Sequence, residues 1–324
     1  MDLASAGEIK VVQLAREIFK KRKWVEVGIG DDSAVVRLQG KRVVLTTDMF
    51  VEGVHFLPGT APEHLARKAV VATLSDLAAM GARPVALLFS VGLPRSTGFS
   101  FVRRMMQEMN RVALENFAPV VGGDVDESEK IVVAGAGVGE AGKHIIRRSG
   151  ARPGDLIAVT GTLGKAAAGL KILRENLSRG KFSALVKAHL EPESRVREGI
   201  ILGANVGVTA AIDISDGLAK NLHQLAKESG VQIIIEEEKI PADPLVVEFS
   251  RELGISSEEF VLYGGEDFEL AFTFRRGARV LKALKKLGTK VSVIGRVVRG
   301  RGVILSREGK SERLLPKGFE HFLA

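Results

Sequence analysis

The sequence contains no cysteine. That excludes disulfide staples, thiolate zinc sites and cysteine nucleophiles together. Any metal must be held by oxygen or by one of six histidines. Aromatic residues are also scarce, with a single tryptophan and a single tyrosine. Lys+Arg (47) exceeds Asp+Glu (39), giving a formal charge of +8. The cations are scattered, however, and few rings are available to stack on bases, so no nucleic-acid partner is expected. A basic surface equally suits the collection of small anionic substrates. No apolar run approaches the roughly 20 residues that span a bilayer, so no membrane partner is expected either. The opening residues Met1-Asp2-Leu3-Ala4-Ser5 lack the basic and apolar regions of a signal peptide. A cytoplasmic protein is the expectation.

What is present reads as globular. Hydrophobic residues make up 45% of 324 positions, enough for two domains with separate cores. Apolar spacing predicts helices near 8–22, 62–80 and 98–117, and strands near 34–38, 42–47, 85–91 and 131–138. Pro62 in the first turn and Gly81 just past the end frame the second helix. The polar, Gly/Pro-containing stretch from Arg147 to Asp155 reads as a connector. It predicts a boundary that divides the chain into 1–146 and 147–324. Beyond it, strands are expected at 156–160, 208–212, 232–235, 269–274, 291–298 and 302–306, with helices between them. The fold class is therefore mixed α/β.

Two glycine-rich segments fail as nucleotide motifs. In Gly28-Ile29-Gly30-Asp31-Asp32-Ser33, serine stands where a dinucleotide fingerprint needs its third glycine. Gly161-Thr162-Leu163-Gly164-Lys165-Ala166 has Val159 at the first glycine position of a phosphate loop and Ala166 in place of the metal-binding hydroxyl. It is expected to be an ordinary strand-to-helix turn.

The informative pattern is a set of carboxylates. Asp31/Asp32, Asp48, Asp76, Asp124 and Asp213/Asp216 each follow an apolar strand or helix and neighbour glycines or hydroxyls. Asp76 falls in the last turn of its helix, at the unfavourable end of the dipole. Ser215 or Asp216 read alone is an ordinary helix cap, which leaves Asp213 unexplained. If these groups converge, their repulsion requires cations. All-oxygen ligation selects Mg²⁺-type ions over zinc, and several such ions imply a polyphosphate substrate.

Seven segments in order carry a resemblance. They are Ile29-Gly30-Asp31-Asp32, Thr46-Thr47-Asp48 with Val51-Glu52-Gly53-Val54-His55-Phe56, Leu74–Ala82, Gly122-Gly123-Asp124, Arg148–Ala151, Asp213–Leu218 and Gly264-Gly265-Glu266-Asp267. From residue 26 to Lys317-Gly318-Phe319, the chain resembles the thiamine-monophosphate kinases of the aminoimidazole-ribonucleotide-synthetase-like superfamily. The resemblance implies an N-terminal sheet domain that pairs as a homodimer, followed by a C-terminal α/β domain. It implies that Asp32, Thr46, Thr47, Asp48, Asp76, Asp124, Asp213 and Asp216 ligate several Mg²⁺ ions. Gly123, Asp124, Arg148 and Ser215 would contact ATP, the co-substrate. His55, Glu266 and Phe319 would contact thiamine monophosphate. The chain departs from the pattern in Val125-Asp126, where the family often has two threonines, and in Phe319, where it often has Trp or Tyr. The implied reaction is transfer of a phosphoryl group from ATP to thiamine monophosphate. A phosphate monoester has its second pKa near about 6 and is already a nucleophile at neutral pH, so no general base is assigned. Related selenophosphate synthetases and hydrogenase-maturation dehydratases typically need a cysteine (or, for the former, selenocysteine), which this chain lacks. An aminoimidazole ribonucleotide synthetase or a non-catalytic nucleotide-binding scaffold is the remaining alternative.

Overall fold

The computed structural model describes residues 3–19, 22–142 and 144–322. The first half contains α1 (Leu3–Ile18), β1 (Val25–Val27), β2 (Ala34–Leu38), β3 (Lys41–Val51), α2 (Pro62–Ala79), β4 (Arg83–Leu93), α3 (Phe99–Glu115), β5 (Val120–Glu127) and β6 (Val132–Glu140). The second half contains β7 (Leu156–Thr160), α4 (Lys165–Arg174), α5 (Ser183–Leu190), α6 (Val196–Ala204), β8 (Val208–Ile214), α7 (Leu218–Ser229), β9 (Gln232–Glu236), α8 (Pro244–Leu253) and α9 (Glu258–Val261). It ends with β10 (Glu269–Phe274), α10 (Val280–Leu287), β11 (Val291–Val298), β12 (Gly302–Arg307) and β13 (Lys310–Arg313). The helix expected over 8–22 starts earlier and ends at Ile18, and positions 20 and 21 of that expectation lie outside the described residues.

Two sheets organise the chain. The first has strand order β1-β2-β3-β6-β4-β5 and the second β13-β12-β9-β11-β7-β10-β8. Pairing is antiparallel except between β4 and β5 and between β9 and β12. The class is thus mixed α/β with largely antiparallel sheets. The alternation of buried and exposed residues along β4 shows one face packed and one left open, as antiparallel sheets allow.

Helix α2 joins the two halves. Its alanine-rich sequence favours helix, and Pro62 supplies a preorganised first turn. Fourteen of its 18 residues are buried, because the first sheet packs on one side and β8 and α6 of the second half on the other. The contact with α6 is made by backbone. A Cβ placed on Gly199 would lie 2.4 Å from the Ala78 carbonyl oxygen, and one on Gly203 would lie 2.1 Å from that of Gly81. Gly81 itself has φ of +68°, a conformation that favours glycine.

The glycine-rich turn before α4 is an ordinary turn, as expected, and its geometry shows why. The N–H groups of Gly164 and Ala166 donate to the carboxylate of Asp267 at 2.8 and 3.3 Å. The helix terminus that would hold a phosphate in a phosphate loop is occupied by a side chain of the protein itself.

Candidate active site

Thr46, Thr47 and Asp48 do not end a strand, as their sequence setting suggested. They sit inside β3, which runs on to Val51. Their chemistry comes from the two-residue alternation of side chains. Thr46 and Asp48 share the face of the buried Val44 and Phe50, toward α2. Thr47 points to the other face, with Leu45 and Met49, and donates to the Gly135 carbonyl at 3.0 Å.

On the α2 side, carboxylates converge. Oxygens of Asp32, Asp76 and Asp213 lie within 4.8 Å of one another. Asp32 and Asp213 are buried. Thr46 Oγ1 donates to Asp76 Oδ2, so the position read as electrostatically awkward in the helix is stabilised from β3. Ser75, one residue earlier on α2, donates to Asp213 Oδ2 at 2.8 Å. Ser215 Oγ donates to Asp213 Oδ1 at 3.2 Å. The guanidinium of Arg148 donates from Nη2 to Asp32 Oδ1 at 2.8 Å, and its backbone N–H reaches Asp31 Oδ1 at 2.9 Å. Burial first, and then the charges of neighbouring carboxylates, raise the pKa values of Asp48, Asp76 and Asp213. Burial and the Asp32 charge push Asp31 up to about 6.

This arrangement fits a hard divalent cation. Every donor is oxygen, and the second oxygen of Asp32 is buried without a hydrogen-bond partner. Asp216 borders the same cavity but is paired with Lys220 at 3.0 Å and stands outside the three-carboxylate group.

Gly123 and Asp124 are placed elsewhere. They lie within β5, at the edge of the first sheet, whereas the sequence suggested a strand ending before them. Asp124 pairs laterally with Ser90, which pairs with Ala134, which pairs with Met49. Three strand spacings, about 14 Å, therefore separate it from β3. It also shares Met49's face of the sheet, opposite to Asp48.

The carboxylates line a cavity of about 900 Å³. Asp32, Asp48, Asp76, Arg148, Asp213 and Ser215 line it together with His55, Tyr263, Glu266, Phe319 and His321. His55 and His321 rings lie 5.1 Å apart, Phe319 and His321 4.8 Å, and His55 and Phe319 6.4 Å. The Val51 N–H donates to His55 Nδ1 at 3.0 Å, which leaves the proton of the neutral ring on Nε2. Burial, then His321 and Lys68, lower the His55 pKa to about 4, so the ring is neutral at physiological pH. The tail bearing Phe319 is tied to Asp216, since the Phe319 N–H donates to the Asp216 carbonyl at 2.9 Å.

Sequence reasoning missed Ser75 and His321 at the site, and Lys68 and Asp267 beside it. Ser75 had a local signal, being adjacent to Asp76. Lys68 stands seven residues before Ser75 and so on the same helix face. A helix buried on nearly all sides gives no amphipathic pattern from which a buried, paired lysine can be picked out.

A carboxylate-bearing sheet, joined through one central helix to a second α/β unit, defines a known class. Residues 30–141 match the family described as "AIR synthase related protein, N-terminal domain", and residues 152–307 match "AIR synthase related protein, C-terminal domain". The chain belongs to this family. Within it the chain is similar to thiamine-monophosphate kinases over nearly its whole length. It is 37% identical to that of Pyrococcus horikoshii, with 90% of each chain covered, and 36% identical to that of Aquifex aeolicus, with 99% of this chain and 100% of the relative covered. The solved structure described as "AaThiL complexed with AMPPCP and TMP" covers 99% of both chains at 35% identity, with a TM-score of 0.88. A hydrogenase maturation protein HypE in complex with ATP has the same fold at 22% identity and a TM-score of 0.71.

Proposed function

We propose that this protein transfers the γ-phosphoryl group of ATP to the phosphate of thiamine monophosphate, giving ADP and thiamine diphosphate. The carrying observation is the single cavity lined by carboxylates together with aromatic and histidine rings. The carboxylates suit metal-bound polyphosphate and the rings a flat heterocycle. Full-length similarity to thiamine-monophosphate kinases supports the same assignment.

In this reading residues 1–146 form the metal- and ATP-binding unit and 147–324 complete the site. Asp32, Thr46, Asp48, Asp76 and Asp213 would hold Mg²⁺, with Asp216 at the border. When bound, the ions supply positive charge between two polyanions that otherwise repel. Arg148 brings a guanidinium, already beside Asp32, to the phosphates. Ser215 supplies a hydroxyl next to Asp213. In the same cavity, His55 Nε2–H and Glu266 orient the acceptor, and Phe319 offers it a ring face. The acceptor phosphate attacks as a dianion, so no side chain is asked to remove a proton.

Gly123 and Asp124 join the site through a second copy of the chain, whereas Thr47 already borders the cavity of its own chain. The open face of the first sheet carries Leu45, Met49 and Leu88, with Met49 58% exposed. The outer edge of β5 has no strand beside it among the described residues. Pairing of two such faces would cover this apolar surface and bring one copy's Asp124 to the other's nucleotide. A cytoplasmic homodimer is part of this reading; among the described residues, no helix is long and apolar enough to cross a membrane.

The test is direct. The protein is incubated with ATP, Mg²⁺ and thiamine monophosphate and followed by ³¹P NMR. The expected result is the paired resonances of a diphosphate ester together with ADP. ATP binding without diphosphate formation would overturn the assignment.

A further inference from the structure

Lys68 has no role in the site described so far, yet its position is unusual. It lies on α2 in the interior and is 3% exposed. Lysine is almost never buried to this degree unless paired. Its ammonium is 2.7 Å from Glu266 Oε1, donates to the His55 carbonyl at 3.0 Å, and lies 3.5 Å from His189 Nε2. These contacts join three segments. Glu266 belongs to the loop before β10, His55 to the turn after β3, and His189 to α5.

His189 closes the arrangement. It is also 3% exposed, and its Nδ1 faces Glu266 Oε2 at 3.3 Å, off the hydrogen-bonding line. Burial, together with the charges of Lys68 and Arg174, keeps this ring neutral. It therefore packs beside the ammonium without adding a second cation.

Glu266 needs such support. Its φ is +67°, in the left-handed region that non-glycine residues rarely occupy. Its N–H donates to the Ser215 carbonyl at 2.7 Å, which fixes the backbone, while Lys68 fixes the carboxylate. A strained residue at a site persists only where its surroundings determine it. The same ammonium also holds the carbonyl of His55.

We propose that Lys68 is a positioning residue for the acceptor. It sets His55 and Glu266 at a fixed separation across the two halves of the molecule, with His189 as its packing support. The acceptor pocket is then complete only when α2 is docked against the second half. The word acceptor rests on the kinase assignment above, but the bridge itself does not.

Four proteins test this: wild type, Lys68→Met, Glu266→Gln and the double variant. Lys68→Met is expected to raise the KM for thiamine monophosphate at least tenfold, with the KM for ATP within twofold of wild type. The double variant is expected to lose less than the product of the two single losses, since Lys68 acts in part through Glu266 and in part through the His55 carbonyl. Independent losses that multiply, or an equal rise in both KM values, would overturn the proposal. Amide hydrogen exchange provides a readout that needs no turnover. Lys68→Met should speed exchange at least tenfold in both 51–56 and 263–268, with β10 unchanged. Unchanged protection in either segment also overturns it. If the methionine variant does not fold, Glu266→Gln, altered at the cavity wall, should speed exchange in 263–268 and affect 51–56 less, because Lys68 keeps its bond to the His55 carbonyl; unchanged exchange in 263–268 overturns the proposal. A wild type that makes no thiamine diphosphate refutes the kinase assignment, and the exchange measurement still decides the bridge.

Discussion

Replacing Gly203 with alanine probes how closely the geometry of the site depends on one backbone contact. The added Cβ would lie 2.1 Å from the Gly81 carbonyl oxygen and 2.9 Å from its carbon. Both elements present backbone there, so no side chain can rotate away. Relief requires α2 and α6 to separate by about 1 Å, and overpacking of this kind costs about 1–3 kcal/mol. At about 2–4 °C per kcal/mol, the range for domains of about 150–250 residues, Tm should fall by about 2–12 °C. The movement should also reach the metal cluster, since Ser75 on α2 and Asp213 at the end of β8 are joined by a 2.8 Å hydrogen bond. A misplacement of about 1 Å can reduce a reaction a hundredfold, so turnover at saturating substrates should fall at least tenfold. Calorimetry and a coupled ADP assay measure the two effects, with Gly28→Ala as control because its added Cβ meets only Val25 at 3.9 Å. A Gly203→Ala protein with Tm within 1 °C of wild type and turnover within twofold would refute the reasoning.

Other outcomes follow from the same geometry. Asp76→Asn should lower turnover at least a hundredfold while leaving ligand-free Tm equal or higher, because it removes one of several mutually repelling carboxylates; near-normal turnover at saturating Mg²⁺ counts against the role. Asp48, Asp76 and Asp213 have folded pKa values raised above their unfolded ones, so the folded state holds more protons. Ligand-free stability from these groups should therefore fall as pH rises from about 4 toward neutrality, and added Mg²⁺ should raise Tm more at pH 8 than at pH 5; a flat or opposite profile in scanning calorimetry defeats this. Met49→Glu, on the open sheet face, should give a monomer by sedimentation velocity with little activity. Mixing Asp76→Asn with Asp124→Asn should restore up to about a quarter of wild-type activity if each site draws on both chains, and no recovery from exchanged mixtures would place Asp124 in the site of its own chain.

The sequence by itself determined the chemistry. Without cysteine, a set of aspartates beside hydroxyls and glycines leaves oxygen ligation of a hard cation as the consistent choice, and seven segments in order identified the kinase resemblance. Periodicity placed α2 and most strands, because apolar spacing is a local property of the chain. Other features were decided only by tertiary structure. Whether Thr46 or Thr47 faces Asp76 depends on which side of β3 the helix packs, since a two-residue period has no preferred face until a partner covers one. That Asp124 stands at an edge, away from the other acids, follows from strand order, which brings β6 between β3 and β4. Asp267 looked like part of a substrate motif, and only the fold shows it capping α4. Lys68 is the clearest case. Its three partners come from segments 13, 121 and 198 residues away in the chain, and a contact of that range leaves no periodic trace in the residues around it.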